Sequence, residues 1–131
     1  MATINNFEDL EIWKLAREIC KKVYEYTQKH PFCRDFSLVD QIRRSSGSIM
    51  DNIAEGFERE GKQEFIQYLS IAKGSCGECR SQSYRAFDHD YITNKEFNEL
   101  YKMLINESQK IRSFISYLKK SDFRGQKYKK L

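Results

Sequence analysis

Proline and glycine are scarce in this chain. One proline and six glycines occur among 131 residues, which is roughly 5% of the sequence against a typical value of about 12%. Sandwiches and barrels need a turn at roughly every 8–12 residues, so this composition argues against an all-β fold. It predicts a few long helices instead, and the length is that of one domain.

Long apolar runs and export signals are also lacking. No run approaches the roughly 18 apolar residues of a membrane span. The N-terminal residues do not have a basic segment followed by an apolar one, which is the pattern of a signal peptide. We therefore expect a cytoplasmic protein that makes no contact with a membrane.

Residues that bind metals are few and scattered. Neither His30 nor His89 has a glutamate three residues before it, as the histidines of di-iron bundles have. Cys76 and Cys79 form a C-x-x-C pattern, but no second pair completes a zinc site and no predicted strand precedes the pattern, as in a redox site. We expect both thiols to pack as small hydrophobes, with metal or redox chemistry as the alternative.

A near match to a phosphate-binding loop spans residues 56–63. Gln63 stands where that motif has a Ser or Thr hydroxyl for magnesium, and the segment follows a predicted helix rather than a strand. No nucleophile, base and orienting group come together elsewhere in the sequence. We expect a protein that is not an enzyme and that uses no cofactor, no metal and no small-molecule substrate.

Apolar residues recur at steps of three and four along four segments, which predicts four helices. The helices are expected at about 7–29, 37–58, 62–89 and 94–119. Short connections place successive helices antiparallel, so the expected fold is all-α, an up-down-up-down four-helix bundle. The bundle would occupy residues 1–119, and residues 120–131 would form a basic C-terminal tail.

Each predicted helix has one apolar seam that should face the core. The seams are Leu10, Trp13, Ala16, Cys20, Val23 and Thr27; Val39, Ile42, Ser46, Ile49, Ile53 and Phe57; Phe65, Leu69, Ala72, Cys76, Cys79, Ser83 and Ala86; and Phe97, Leu100, Leu104, Ile111, Ile115 and Leu118. The fourth seam is interrupted at Glu107.

Helix caps are predicted for three of the helices. Asn6 would cap the first helix. Ser37 with Asp40 resembles a capping box for the second helix, and Thr93 with Glu96 is a capping box for the fourth.

A line of short polar residues runs along the second predicted helix beside its apolar seam. This polar line consists of Gln41, Ser45, Ser48, Asn52 and Glu55. Exposed helix faces usually carry Lys and Glu, so the line is either an unusual solvated face or a polar contact, within a subunit or between subunits. Small residues at 45–48 and 74–77 further predict that the second and third helices pack closely there.

Positive charge is concentrated at the C-terminus. Residues 119–131 contain Lys119, Lys120, Arg124, Lys127, Lys129 and Lys130 against a single acid, Asp122. The whole chain has a net charge of +4, so the rest of it is close to neutral. Such a tail can neutralise phosphates, and a solvated, frayed terminus is the alternative.

Several segments together resemble the 23S rRNA intervening-sequence proteins, a bacterial family of four-helix bundle proteins. The segment FEDLEIWK at 7–14 resembles the opening of that family, and QIRR at 41–44 resembles a later element. SIMDNIAEG at 48–56 is similar to the family signature S-I-x-x-N-I-A-E-G. KQEF at 62–65 and GSCGE at 74–78 follow in the same order, and the resemblance extends over about residues 7–118.

The resemblance implies a bundle that assembles into a homo-oligomeric ring, favoured as a pentamer. It also implies a bacterial protein with no known catalytic residues. A more distant branch, the accessory proteins of diversity-generating retroelements, forms basic pentamers that bind nucleic acid and a reverse transcriptase. Two departures from the family pattern are the near-neutral body and the cysteines at 76 and 79, where Ala or Leu-like residues are expected.

Two functions remain open at this point. The first is an oligomeric factor that associates with RNA or with a nucleic-acid-handling protein. Its phosphate contacts would be Arg43, Arg44, Lys119, Lys120, Arg124, Lys127, Lys129 and Lys130. The second is a structural protein–protein interaction module that binds no nucleic acid. In either case the residues that match the family motifs should make polar contacts, and these are Gln41, Ser48, Asn52, Glu55, Gly56, Gly74, Ser75 and Glu78.

Overall fold

A computed structural model describes residues 4–121 of the chain, and within that range it contains helices and no strands. The four α-helices are α1 (Glu11–Thr27), α2 (Phe36–Glu58), α3 (Lys62–Asp88) and α4 (Asn94–Lys120), with short 3-10 turns at Phe7–Asp9 and Phe32–Arg34. Successive helices run antiparallel and pack side by side, and α1 also packs against α4. The prediction of an all-α fold with four helices is therefore confirmed. No described helix is long and apolar enough to cross a membrane.

The first helix begins later than predicted. Asn6 precedes only a 3-10 turn and its side chain makes no capping hydrogen bond. Leu10 is extended, with φ of −76° and ψ of 128°, and α1 starts after it at Glu11. The Leu10 side chain is buried, so its contact with the core fixes this break in the chain.

The cap of α2 also differs from the prediction. The Asp35 carboxylate accepts a hydrogen bond from the backbone N–H of Leu38 at 3.1 Å, so the cap lies two residues before Ser37. The prediction for α4 is confirmed, because Thr93 and Glu96 form a reciprocal capping box.

The core follows the predicted seams closely on α2, α3 and α4. Every seam residue of α3 is buried, from Phe65 to Ala86. On α1 the buried face is rotated, because Ile12, Ile19 and Tyr26 are buried while Trp13 and Cys20 are only half-buried. The bundle core is thus built from two rows of α1 side chains rather than from the single predicted row.

Gly56 marks a close approach of α2 to α3. A Cβ atom placed there would lie 2.7 Å from the Cβ of Tyr68 and 2.9 Å from the Phe65 ring. At Gly47, Gly74 and Gly77 an added Cβ would meet nothing within 4 Å. The two helices are close at 45–48 and 74–77 as predicted, because the Ser48 and Ser75 hydroxyls lie 2.9 Å apart. The glycines of these segments do not face that contact, and Gly56 is the glycine that the α2–α3 packing requires.

Candidate functional site

The polar line of α2 lies at its contact with α3, where it forms a row of hydrogen bonds along the outer edge of the interface. We call this row the polar seam. From one end to the other it pairs Gln41 with Arg85, Ser45 with Gln82, Ser48 with Ser75 and Glu55 with Tyr68. The pairing order reverses along α3 because the two helices are antiparallel.

The middle of the polar seam is the best-protected part. The Ser45 hydroxyl donates to Oε1 of Gln82 at 2.6 Å, and both residues are buried. The Ser75 hydroxyl donates to the Ser48 hydroxyl at 2.9 Å. Hydrogen bonds to charge-free partners contribute only about 0.5–1.5 kcal/mol each, so their main effect is to fix the register of α2 on α3.

Asn52 supports the seam without reaching α3. Its amide donates to the Ser48 carbonyl at 2.8 Å and to the Ser48 hydroxyl at 2.9 Å. Both bonds stay within α2, so the expectation that Asn52 contacts a neighbouring helix is not met. The amide instead orients the Ser48 hydroxyl toward its partner on α3.

The two ends of the polar seam are open to solvent. Arg85 donates to the Gln41 amide oxygen at 3.0 Å. The Glu55 carboxylate accepts from the Tyr68 hydroxyl at 3.3 Å and pairs with Arg59 at 3.1 Å. The accessible edge of the seam therefore offers both charged and neutral groups to a partner.

The remaining residues of the family motifs surround the polar seam. Gly56 is buried beneath it, whereas Gly74 and Glu78 are exposed on the adjoining outer side of α3. Ile71, one turn before Gly74, is 47% exposed. The motif residues thus converge on one surface of the bundle, formed by α2 and α3.

The arginines predicted to bind phosphate have other partners. The Arg43 side chain donates from Nε to the Thr27 hydroxyl at 2.9 Å and lies 4.5 Å from the centre of the Tyr24 ring, so it joins α1 to α2. Arg44 is exposed and pairs with Asp40 at 3.0 Å. Neither is close to the C-terminal end of α4, because α2 and α4 are parallel and Lys119 and Lys120 lie at the opposite end of the bundle.

Lys119 and Lys120 are exposed. The other predicted tail contacts, Arg124, Lys127, Lys129 and Lys130, lie outside the described residues.

The C-x-x-C cysteines are core residues. Cys76 and Cys79 are fully buried, and burial raises the pKa of each thiol to about 12. Both thiols therefore stay protonated at neutral pH, which opposes metal binding and nucleophilic attack. Between residues 4 and 121 no three His, Cys, Asp or Glu side chains come together as metal ligands.

Glu107, where the fourth apolar seam is interrupted, is buried in the bundle. It is fully shielded from solvent, and neither carboxylate oxygen has a hydrogen-bond partner among residues 4–121. Burial raises its pKa to about 8, although Lys110 acts to lower it. The carboxyl group is thus mainly protonated at neutral pH and has no access to a solvent-borne ligand.

The outward side of α4 is the feature that sequence reasoning missed. Its exposed charged residues, which we call the α4 basic face, are Lys95, Lys102, Lys110, Arg112, Lys119 and Lys120. Lys119 and Lys120 were predicted as phosphate contacts, whereas the near-neutral charge of the body concealed the four cations before them. The signal was available in the predicted helix, because these four cations lie off its apolar seam.

A solved structure from Bacteroides thetaiotaomicron is similar to this chain, with a TM-score of 0.73 and 21% sequence identity. The match covers 79% of this chain and 97% of the other, which is described as a protein of unknown function from the S23 ribosomal protein family. No curated protein matches the chain. The family model for 23S rRNA-intervening sequence proteins matches residues 8–113. With most of its length matched, and with the fold just described, the chain belongs to the family of 23S rRNA-intervening sequence proteins.

Proposed function

We propose that this protein is a non-enzymatic, homo-oligomeric bundle that associates with RNA or with a nucleoprotein in the bacterial cytoplasm. The observation that carries the proposal is the exposed, positively charged C-terminal end of α4. Lys119 and Lys120 form no ion pair with another residue between 4 and 121, and the sequence then adds four more cations. Membership of a family named for insertions in 23S rRNA is consistent with an RNA partner.

Assembly into a ring, with five subunits as the favoured number, is supported by the outer surface of α2 and α3. Glycine in a helix interior costs roughly 1 kcal/mol relative to alanine. Gly47 and Gly74 incur that cost although an added Cβ at either position would meet no described atom within 4 Å. Close approach of a second copy would account for both positions.

Light scattering at micromolar concentration tests the assembly. We expect a mass several times the 15.7 kDa of one chain. The variant Gly74→Gln should shift the mass toward that of the monomer, whereas Ser113→Gln, a similar enlargement on the outside of α4, should not. A monomeric wild-type protein would contradict the proposal of a ring.

RNA association is tested by filter binding of the full chain and of a version that ends at Ser121. That endpoint keeps the contact in which Lys62 donates to the Ser121 carbonyl at 3.1 Å. Phosphate contacts weaken steeply with salt, so we expect the shortened version to bind more weakly and with a smaller salt dependence. No binding by either version at low salt would refute RNA association.

The absence of an enzymatic activity is proposed from the position of the reactive groups. The Cys76 and Cys79 thiols and the Glu107 carboxyl lie in the core, out of reach of a substrate. Incubation with the chain should leave a labelled RNA uncut. Cleavage that disappears with Glu107→Gln would overturn this part of the proposal.

A second candidate is a protein–protein interaction module, which the α2–α3 surface favours. The polar seam leaves Gln41 and Glu55 partly or fully accessible, and Ile71 adds an exposed apolar contact nearby. Binding of a protein through this surface should depend little on salt, and Ile71→Asp should abolish it without changing RNA affinity.

A further inference from the structure

Positive charge predominates on the outward side of α4, where the partly exposed acid Glu99 is paired with Lys22 of α1. The exposed residues of this helix are Asn94, Lys95, Asn98, Lys102, Asn106, Gln109, Lys110, Arg112, Ser113, Ser116, Lys119 and Lys120. Six of them are cations and the rest are amides or hydroxyls. No member of the α4 basic face takes part in an ion pair with another described residue.

The glutamates of α4 are turned toward other helices. Glu96 belongs to the capping box and pairs with Lys29 at 3.0 Å. Glu99 pairs with Lys22 at 2.7 Å and accepts a hydrogen bond from Tyr26 at 3.1 Å. Glu107 is buried. Of the three glutamates of α4, two are therefore paired with lysines that precede α2 in the chain, and the third is shielded from solvent.

Other faces of the bundle have a different charge pattern. On α1 the exposed cations Lys14, Arg17 and Lys21 alternate with exposed glutamates at 11, 18 and 25. Between residues 36 and 88 the cations are three exposed arginines, Arg44, Arg59 and Arg85, and four half-buried side chains, Arg43, Lys62, Lys73 and Arg80, whereas all eight acids are exposed. Those acids are Asp40, Asp51, Glu55, Glu58, Glu60, Glu64, Glu78 and Asp88. The bundle is therefore electrically polarised, with α4 as its positive side.

The side chains of the α4 basic face and its polar neighbours are suited to contact the backbone of a polyanion. The large exposed apolar residues are Tyr24, Phe36, Ile71 and Tyr84, and none lies on α4. An apolar protein partner or base stacking therefore has little to engage there. Lysine, arginine, amide and hydroxyl donors are the groups that contact nucleic-acid phosphates and sugars.

The dimensions of the face also fit an extended ligand. The helix contains 27 residues, so it is about 40 Å long, and its cations extend from Lys95 near the start to Lys120 at the end. An open depression near the start is lined by Asn94, Lys95, Asn98, Glu99, Lys102 and Met103. The carboxylate of Glu99 is already paired, so the free donors in this depression are cationic or amide groups.

We propose that the α4 basic face binds the ribose–phosphate backbone of RNA along the length of the helix, without preference for base sequence. This inference rests on the proposed RNA association and names the surface responsible for it. Because each subunit of an oligomer would present the same face, weak single contacts would combine into a multivalent one.

The test compares two triple variants of the full chain that remove the same charge. One is Lys95→Gln with Lys102→Gln and Arg112→Gln on α4. The other is Lys14→Gln with Arg17→Gln and Lys21→Gln on α1, and it serves as the matched control. Binding to fluorescein-labelled U20 RNA is followed by anisotropy from 50 to 300 mM salt, with melting curves to verify folding and light scattering to verify assembly.

For the α4 variant we expect the slope of log affinity against log salt to decrease by about 2, since each phosphate contact on a single strand contributes about 0.7. Affinity at 50 mM salt should decrease by roughly tenfold or more. The α1 variant should retain most of the slope and affinity of the wild-type protein.

Three results would overturn the inference. Equal losses of RNA affinity in both variants would mean that binding depends on the net charge of the protein and not on the position of the cations on α4. Wild-type binding by the α4 variant, with binding lost on truncation at Ser121, would assign RNA to the tail alone and leave the proposed function intact. If the α4 variant changes the oligomeric mass but not the RNA affinity, the α4 basic face contacts the acidic surface of a second copy rather than RNA. Absence of binding by the wild-type protein would instead refute the proposed RNA association itself.

Discussion

Glu107 should make the bundle less stable as the pH rises, and replacing it should relieve that loss. Burial raises its pKa from an ordinary value of 4.5 to about 8. A group whose pKa is raised by folding lowers stability progressively as pH rises from the unfolded value through the folded one. The penalty is therefore absent below pH 4.5 and complete above pH 8.

The size of this destabilisation follows from the size of the pKa shift of Glu107. One pKa unit corresponds to about 1.36 kcal/mol. At pH 7 the group is still protonated in the folded chain, and the cost is roughly 3 kcal/mol; at pH 9 it approaches roughly 5 kcal/mol. Because neither oxygen has a hydrogen-bond partner among the described residues, removing the carboxyl breaks no hydrogen bond there.

The variant Glu107→Met keeps a similar volume without the ionisable group. We expect it to be more stable than the wild-type chain, by little at pH 5, by roughly 3 kcal/mol at pH 7 and by more at pH 9. Urea denaturation followed by circular dichroism at the three pH values measures this, with protein concentration held constant because assembly contributes to stability.

Glu107→Gln is the matched control for charge. Its amide does not ionise, so the pH dependence should disappear as in the methionine variant. The buried amide still lacks partners, so the gain in stability should be smaller. A difference between wild type and Glu107→Met that is constant from pH 5 to pH 9 would refute the reasoning.

Three further predictions concern the packing and the caps. Gly56→Ala should destabilise the bundle by roughly 1 kcal/mol or more, the lower end for overpacking, because the Tyr68 and Phe65 side chains would lie 2.7 and 2.9 Å from the new Cβ; Gly77→Ala should not, and equal melting temperatures for the two variants would contradict this. Ser45→Ala should cost about 1–3 kcal/mol by leaving Gln82 buried without its partner, and an unchanged denaturation midpoint would argue against that bond. Thr93→Ala should cost about 1 kcal/mol through loss of the α4 cap, measurable as earlier exchange of the amides in the first turn.

Periodicity predicted the helices well because each apolar seam is a local property of its own segment. The helix starts were less predictable, since Asn6, Asp35 and Ser37 are all short polar residues that can cap. The choice among them depends on tertiary contacts such as the burial of Leu10. The local sequence does not indicate which of the possible capping residues such contacts will favour.

The sequence predicted the α2 half of the polar seam but not the α3 half. The composition of the polar line indicated a contact on α2, but its partners Gln82 and Tyr68 depend on the register between two helices. Periodicity along one helix does not reveal that register. Glu107 was recognised as an interruption of its seam, whereas its complete burial follows from the packing of α3 against α4.

The polarised charge of the bundle has a consequence for handling the protein. A net charge of +4 suggests retention on a cation exchanger alone. An ion-exchange resin, however, contacts one side of a protein at a time. Retention therefore depends on the charge of that side rather than on the total charge. At low salt the chain should therefore be retained on sulfonate resin through α4 and also on quaternary-amine resin through the acidic surface of residues 36–88. Neutralising three α4 cations should shorten retention on the first resin only.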